Sequence, residues 1–479
     1  MSMERHLFVV LGATGDLTAR KLLPALYDLM HHDAGACIVL GAATSDLGDA
    51  GFRDRAVEAL TASGVGRASA AGWAGRHVFY EPVERHRGYE GLAKRIKVLE
   101  AELRLPGNRV LYLAVPPEVV PDAIERLGAA GLADSPGWTR LVVEKPFGHD
   151  LASARQLNRL VHAHFGEADI YRIDHYLGKA SVQNLLVFRF GNPIFEASWN
   201  RDRVERVEIT VAESLGVGTR GRYYDEAGVL RDMVQSHLSQ ILTLTAMEAP
   251  TAFTAGDIRD EKVKVLRSIQ SVEPSAVVIG QYQGGSIGGE PIAPYRASPG
   301  VDPGSGTPTY AALRLSIDNW RWQGVPFYLR TGKALARRQT QVAVTFRGPP
   351  VCLFHGRPDD CMSEGNVLYL TLQPEEGFSL VIEVKEPADP FQLRRIPLHF
   401  SYSEAFGDIP DAYETLLADV IEGDPTLFVR SDEVEEAWRL FTPLLHRDLP
   451  LHPYPAGSWG PDEARALLDP LTDRWATGG

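Results

Sequence analysis

The sequence predicts a doubly wound parallel α/β sheet at the N-terminal end. A larger α+β half, built on a mostly antiparallel sheet, follows it. Three observations carry this. Through residue 150, short continuous apolar runs alternate with stretches of helical periodicity. A glycine turn stands between the first run and the first helix. Beyond residue 200 the runs become alternating and rich in Val, Ile, Thr and Tyr. A continuous apolar strand is covered on both faces, as in a parallel sheet, whereas alternation marks a sheet with one polar face.

The elements follow in order. "HLFVVLG" reads as a buried strand, "LTARKLLPALYDLM" has apolar positions at helical spacing, and "ACIVLGAA" is a second strand. "RVLYLAVPP" and "TRLVVEKPFG" are two more, with helical segments between. "IYRIDHYLGKA" opens with a strand-like lead-in. The later strands are "RVERVEITVAES", "YAALRLSIDNW", "QVAVTFRG", "NVLYLTLQP" and "FSLVIEVKEP". The helices "VLRDMVQSHLSQILTLTAME" and "DAYETLLADVIEG" are expected to accompany that sheet. Residues 284–308, rich in Gly, Pro and Ser, read as a long loop.

With 479 residues the chain can build two or three domains. A net charge of −13 argues against non-specific nucleic-acid or anionic-membrane binding, so an anionic ligand needs a local cluster of Lys, Arg and His. Three cysteines, Cys37, Cys352 and Cys361, make no disulfide framework and read as reduced thiols. The start "MSMERHLFVVLGATG" has neither a long apolar core nor a small-residue cleavage site. No apolar run approaches the ~20 residues that span a bilayer. A cytoplasmic protein is expected.

Gly12 and Gly15 lie at the first strand-to-helix turn, where glycine lets backbone approach a pyrophosphate at a helix N-terminus. The spacing is G-x-x-G, with Thr14 in place of the middle glycine of G-x-G-x-x-G. The turn reads as nucleotide-binding, or as a plain tight turn. The second strand ends in Thr44, Ser45 and Asp46, with no Arg for a ribose 2′-phosphate. Asp46 either faces the ribose or begins the next helix. Asp174, His175, Tyr176 and Lys179 stand together after an apolar lead-in. Such a mixture suits a site that holds an anion and moves a proton, or else a solvated charged turn. Metal binding finds no support, because His31 with His32 and His162 with His164 lack the i, i+4 spacing of helical ligands. No G-x-x-x-x-G-K-[ST] loop is present.

Taken in order, "GATGDLTARKLLPALY", "EKPFGHDLASARQLN", "RIDHYLGK", "GVLRDMVQSHL", "VPFYLRTGKAL" and "FVRSDEVEEAWRLFTPLL" resemble the motifs of the glucose-6-phosphate dehydrogenase family. The resemblance runs over nearly the whole chain. It implies a Rossmann-like coenzyme domain over 1–175, and a substrate-binding and dimerisation domain over 176–479. It implies oxidation of glucose 6-phosphate with NADP or NAD, in a homodimer or dimer of dimers. His237 is implied as the base and Asp174 as its orienting carboxylate. His175, Tyr176 and Lys179 form the implied phosphate grip. Lys145 stands between coenzyme and substrate, and its bond to Pro146 is a candidate for the cis form. Glu213, Asp232, Lys333, Arg338 and Gln373 are implied sugar-phosphate ligands. Gly12, Thr14, Gly15, Asp16, Leu17, Thr44, Ser45, Asp46 and Lys145 are implied at the coenzyme.

The chain departs from the family in three places. Ala180 stands where Glu is frequent. No Arg stands at Thr44 or Asp46, which opens the way to NAD. Gln339 replaces the Lys that serves a structural NADP in some eukaryotic members, so no structural NADP is expected. Dehydrogenases related to glucose–fructose oxidoreductase share the coenzyme domain and an "EKP" strand end, but an unphosphorylated sugar needs no His–Tyr–Lys grip. A non-enzymatic homologue is disfavoured because His237, Asp174, His175 and Lys179 are all present.

Overall fold

The computed structural model describes residues 3–32, 37–84, 88–351, 365–387, 393–407, 410–468 and 475–476; the side chains of His31 and His32 are excepted. Cys352 and Cys361 lie outside the described residues. Cys37 is a free, buried thiol whose pKa burial pushes up.

The chain forms two compact units. The first comprises Met1–Lys179, Ala252–Arg259 and Pro410–Glu435. Its sheet has six strands: β1 (His6–Leu11), β2 (Cys37–Ala43), β3 (Val78–Pro82), β4 (Arg109–Leu113), β5 (Thr139–Glu144) and β6 (Ile170–Ile173). All neighbours are parallel, in the order β3-β2-β1-β4-β5-β6. This is the doubly wound dinucleotide-binding order. Every residue of β1, β2 and β4 is buried, which is why these strands read as unbroken apolar runs. Strand β3 was not anticipated. It lies at the sheet edge, is buried only at alternate positions and ends in Glu81-Pro82.

The domain boundary expected at residue 175 meets a unit that extends to Lys179 and takes in two later segments. One of these carries the helix Ala412–Glu422, which was expected beside the second sheet. Its Tyr413, Leu416, Leu417 and Val420 instead share a core with Tyr112, Val142 and Tyr171. Arg140 donates to the carbonyls of Val420 (2.9 Å) and Ile421 (2.6 Å), fixing its C-terminal end. An apolar helix face shows that it is buried but not which sheet buries it.

The second unit comprises Ala180–Thr251, Asp260–Ile409 and Glu436–Gly479. Its strands are β7 (Val204–Ala212), β8 (Val277–Gln283), β9 (Gly285–Ile287), β10 (Glu290–Ile292), β11 (Tyr310–Ser316), β12 (Pro326–Gly332), β13 (Gln339–Phe346), β14 (Val367–Gln373), β15 (Gly377–Lys385), β16 (Leu393–Ser401) and β17 (Leu451–Pro455). Nine of them form one sheet, β16-β15-β14-β13-β7-β12-β11-β8-β17. It is antiparallel except where β7 meets β12 and β8 meets β17. The stretch 284–308 is not all loop: β9 and β10 pair as a short ribbon, and a 3-10 turn spans Tyr295–Ala297. Among the described residues no helix is long and apolar enough to cross a membrane.

Candidate active site

In the first unit the glycine turn takes the form its sequence demands. Gly12 has φ +89°, and a Cβ there would stand 2.2 Å from the Ala114 carbonyl oxygen, so only glycine fits between β1 and the end of β4. The Gly12 N–H donates to Ala42 O (2.8 Å) and the Gly15 N–H to Gly12 O (2.9 Å). The turn is thus braced by its own hydrogen bonds, and the helix behind it begins with a π turn over Thr18–Leu22. Thr14 and Gly15 line a cavity of about 550 Å³ together with Phe52, Ser63 and two cations, Arg20 and Arg55. Asp16 pairs with Arg20 (3.4 Å) at the surface, and Leu17 packs on the core. After β2, Thr44 and Asp46 are exposed. Tyr80 holds this loop, donating to the Ala43 (3.2 Å) and Ser45 (2.5 Å) carbonyls.

The C-terminal ends of β4, β5 and β6 form a second polar cluster. Glu144 ends β5 opposite Ile173, the last residue of β6. Lys145 and Asp174 therefore begin neighbouring loops. The Lys145–Pro146 peptide is cis. Asp174 is buried and accepts from the Tyr176 N–H (3.1 Å). Tight turns follow, with Leu177 N–H donating to Asp174 O (2.9 Å) and Lys179 N–H to Tyr176 O (3.2 Å). They stack the Lys179 ammonium over the Tyr176 ring (4.0 Å), beside the His175 ring. The run is therefore no freely solvated turn. Tyr176 is buried, His175 and Lys179 half-buried, and Gly178 touches the helix Ala412–Glu422.

The second unit gathers its candidates from distant segments. β7 and β12 are parallel neighbours that end in register at Ala212 and Gly332. Glu213 and Lys333 come next on each, and they form a close ion pair. Ala334, just after, is held at φ +50°, an unusual conformation for a residue with a Cβ. Glu213, Lys333 and Asp232 line a cavity of about 530 Å³ with Arg220, Tyr224 and Thr219. Asp232 also accepts from the Tyr223 hydroxyl (3.5 Å). The Tyr224 hydroxyl is buried without a hydrogen-bond partner among the described residues. Burial, then the charges of Asp232 and Glu213, push its pKa well above the ordinary value.

His237 is buried on the π-helical segment Leu230–Leu238, which also carries Asp232. Ala180 begins the helix Ala180–Phe190. Arg338 is exposed and does not line this cavity. Gln373, at the end of β14, accepts a long hydrogen bond from Thr340 (3.5 Å). Gln339 is buried and accepts from Arg337 (3.2 Å).

Sequence reasoning missed several residues of these clusters. Arg55 sits on the helix Gly48–Ala62, beyond the loop where a ribose-binding Arg was sought. Tyr223 and Tyr224 stand in "GRYYDE", whose paired aromatics beside Asp were the available signal. Glu144 was read only as the start of "EKPFG", and its partners Tyr112 and Tyr413 come from other elements.

Comparison with known proteins adds to this geometry. Residues 9–184 match the family model "Glucose-6-phosphate dehydrogenase, NAD binding domain", and residues 186–476 match "Glucose-6-phosphate dehydrogenase, C-terminal domain". The chain belongs to the glucose-6-phosphate dehydrogenase family. It is 42% identical to glucose-6-phosphate 1-dehydrogenase of Treponema pallidum, over 98% of this chain and 95% of that one. It is 43% identical to the Mycolicibacterium smegmatis enzyme, over 98% and 97%. A solved glucose-6-phosphate dehydrogenase in complex with its substrate glucose-6-phosphate superposes with a TM-score of 0.89 at 35% identity, covering 98% of both chains. That from Mycobacterium avium gives 0.87 at 36%, covering 100% and 99%.

Proposed function

We propose that this family member oxidises β-D-glucose 6-phosphate at C1 to 6-phospho-D-glucono-1,5-lactone, with NAD(P)+ as the oxidant. Its full-length kinship with glucose-6-phosphate dehydrogenases is the observation that carries the reading. In the reaction the C1–H bond breaks and hydrogen leaves with both electrons as hydride. The O1–H proton goes to a base, and C1 becomes the lactone carbonyl. His237 is the proposed base, since imidazole titrates near neutral pH. Asp174 is the proposed carboxylate that fixes its tautomer and stabilises the imidazolium. His175, Tyr176 and Lys179 are proposed to hold the 6-phosphate with directional donors and one point charge. Glu213, Asp232 and Lys333 are proposed to meet the sugar hydroxyls, with Arg338 and Gln373 peripheral.

The coenzyme, when bound, supplies the hydride acceptor. The Gly12 turn and the cavity at Thr14 and Gly15 suit its pyrophosphate end. The exposed Thr44 and Asp46 favour a free ribose 2′-hydroxyl, while Arg55 places a cation on the cavity wall. Dual use of NAD and NADP is therefore proposed, with neither a metal nor a structural NADP. The half-exposed faces of β15 and β16 support a homodimer or a dimer of dimers. A cytoplasmic setting fits a chain with three cysteines.

Initial rates of coenzyme reduction test this, with glucose 6-phosphate against free glucose and NADP+ against NAD+. Strong preference for the phosphorylated sugar is expected. Equal rates with free glucose would remove the phosphate grip from the account, and no reduction with either coenzyme would refute the activity.

A further inference from the structure

Glu144 is used by no step above, yet its setting is costly. It ends β5 and is half-buried. Tyr112, on β4, donates its hydroxyl to Glu144 Oε1 at 2.5 Å. Tyr413, on the helix Ala412–Glu422, donates to the same oxygen at 3.2 Å. The other charges that bear on it are Lys145, the first residue past β5, and Asp174, after β6. Three adjacent strand ends and one helix thus converge on a single carboxylate. Drawing a carboxylate out of water is costly unless it is hydrogen-bonded or paired, and here two tyrosine hydroxyls from other elements are committed to it.

The helix that delivers Tyr413 is tied to the other motifs of this unit. Asp411 caps it, accepting from the Tyr413 N–H (2.9 Å), and pairs with Lys21 (2.7 Å) of the coenzyme-turn helix. Burial opposes ionisation of Asp411, but the Lys21 contact, the cap and the charge of Lys179 outweigh it. Backbone of this helix packs on Gly178, beside Lys179. Tyr413 is therefore not loosely placed, and neither is the oxygen it holds.

We propose that Glu144 is a positioning residue for the oxidation. In its ionised form, held by the Tyr112 and Tyr413 hydroxyls, it is the counter-charge that fixes Lys145 and makes Asp174 a stronger hydrogen-bond acceptor. The inference rests on the reading of Asp174 as the carboxylate that orients the base. A second negative charge near Asp174 favours any proton or imidazolium that Asp174 faces. Protonating Glu144 removes that charge and releases Lys145 from it. Burial raises the Glu144 pKa to about 6, against the opposing pull of the two tyrosines and Lys145. The loss accordingly falls within the working range of a neutral-pH enzyme.

The test is the pH dependence of kcat with glucose 6-phosphate for wild type, Tyr413→Phe and Glu144→Gln. Tyr413→Phe removes a donor that favours the ionised form, so the acid limb should move alkaline by about half a pH unit or more, with KM little changed. Glu144→Gln should lower the plateau kcat by about tenfold and lose the component of the limb that Tyr413→Phe displaces. A purely structural role lowers thermal stability in both variants and leaves the limb where it was, and that outcome overturns the proposal. So does an unchanged profile in Glu144→Gln. Asp174→Asn separates the underlying reading from the inference. If it keeps wild-type kcat, the role of Asp174 fails. If it loses kcat while the Tyr413→Phe limb stays put, only the role of Glu144 fails.

Discussion

Each unit presents a carboxylate and a lysine where parallel strands end, and the two solve the same electrostatic problem differently. In the first unit Glu144 and Lys145 are consecutive at the end of β5, and neutral hydroxyls from Tyr112 and Tyr413 answer the carboxylate. In the second, Glu213 and Lys333 follow two different strands, β7 and β12, and answer one another directly. Burial raises the Glu144 pKa to about 6, and the neutral donors oppose that rise without cancelling the charge. A direct ion pair cancels the charge and fixes both side chains. The first arrangement suits a group whose charge is to be felt by its neighbours. The second suits a rigid wall for a polar ligand.

The sharpest way to break this contrast is to remove the cation from the second pair. Lys333→Ala leaves Glu213 without its partner in a partly enclosed site, and takes away a proposed sugar-phosphate contact. KM for glucose 6-phosphate should rise about tenfold or more, and thermal stability should fall. Lys333→Arg should not restore KM, because a guanidinium fork does not occupy the place of an ammonium. Steady-state kinetics and a melting curve check both statements. A double-mutant cycle then grades the two clusters. Glu213→Gln with Lys333→Ala should show a coupling of about 1–2 kcal/mol, and Glu144→Gln with Tyr413→Phe about 1 kcal/mol or less. Equal couplings would mean that the tyrosines hold Glu144 as firmly as an ion pair would.

The same contrast explains what the sequence could reveal. The coenzyme turn, the "EKP" strand end and the "DHYLGK" turns are local, because successive parallel strands deliver successive short motifs. Gly12 was legible as part of a strand-to-helix turn, although the atom that requires glycine there, the Ala114 carbonyl oxygen, comes from the end of β4. The cavity at Glu213 was not legible as a cluster. Its walls include the end of β7, the helix Gly221–Val229 with the turn before it, Asp232 on the segment after that helix, residues of β8 and β10, and the end of β12. No spacing rule connects them, and only the family resemblance put Glu213, Asp232 and Lys333 together. Tyr413 was misplaced because its helix returns to the first unit only after most of the second unit's chain has intervened. Strand β3 was missed because an edge strand need not be apolar.

A stability measurement sharpens the comparison in the first unit. Folding raises the Glu144 pKa from about 4.5 to about 6, chiefly by burial. The folded chain therefore binds a proton that the unfolded chain has already released. That contribution to stability is complete below the unfolded value and is lost as pH rises through about 6. Glu144→Gln has no such loss. Its stability relative to wild type should improve by on the order of 1–2 kcal/mol between pH 4 and pH 8, read from denaturant midpoints at each pH. A constant difference across that range would mean that folding leaves the Glu144 pKa where it stands in the unfolded chain.

The smallest expected effect concerns Tyr224, on the wall of the second cavity. Its hydroxyl is buried, lacks a partner among the described residues and is surrounded by Asp232 and Glu213. A buried donor left unmatched in the free chain costs stability, and a ligand oxygen can relieve that cost. Tyr224→Phe should therefore leave the melting temperature unchanged or slightly raised. KM for glucose 6-phosphate should nevertheless rise by about threefold, the value of one neutral hydrogen bond. Stability and substrate affinity move in opposite directions here, whereas Lys333→Ala lowers both. If Tyr224→Phe destabilised the chain without touching KM, the hydroxyl would be serving the fold, and the cavity wall would recognise its ligand by charge alone.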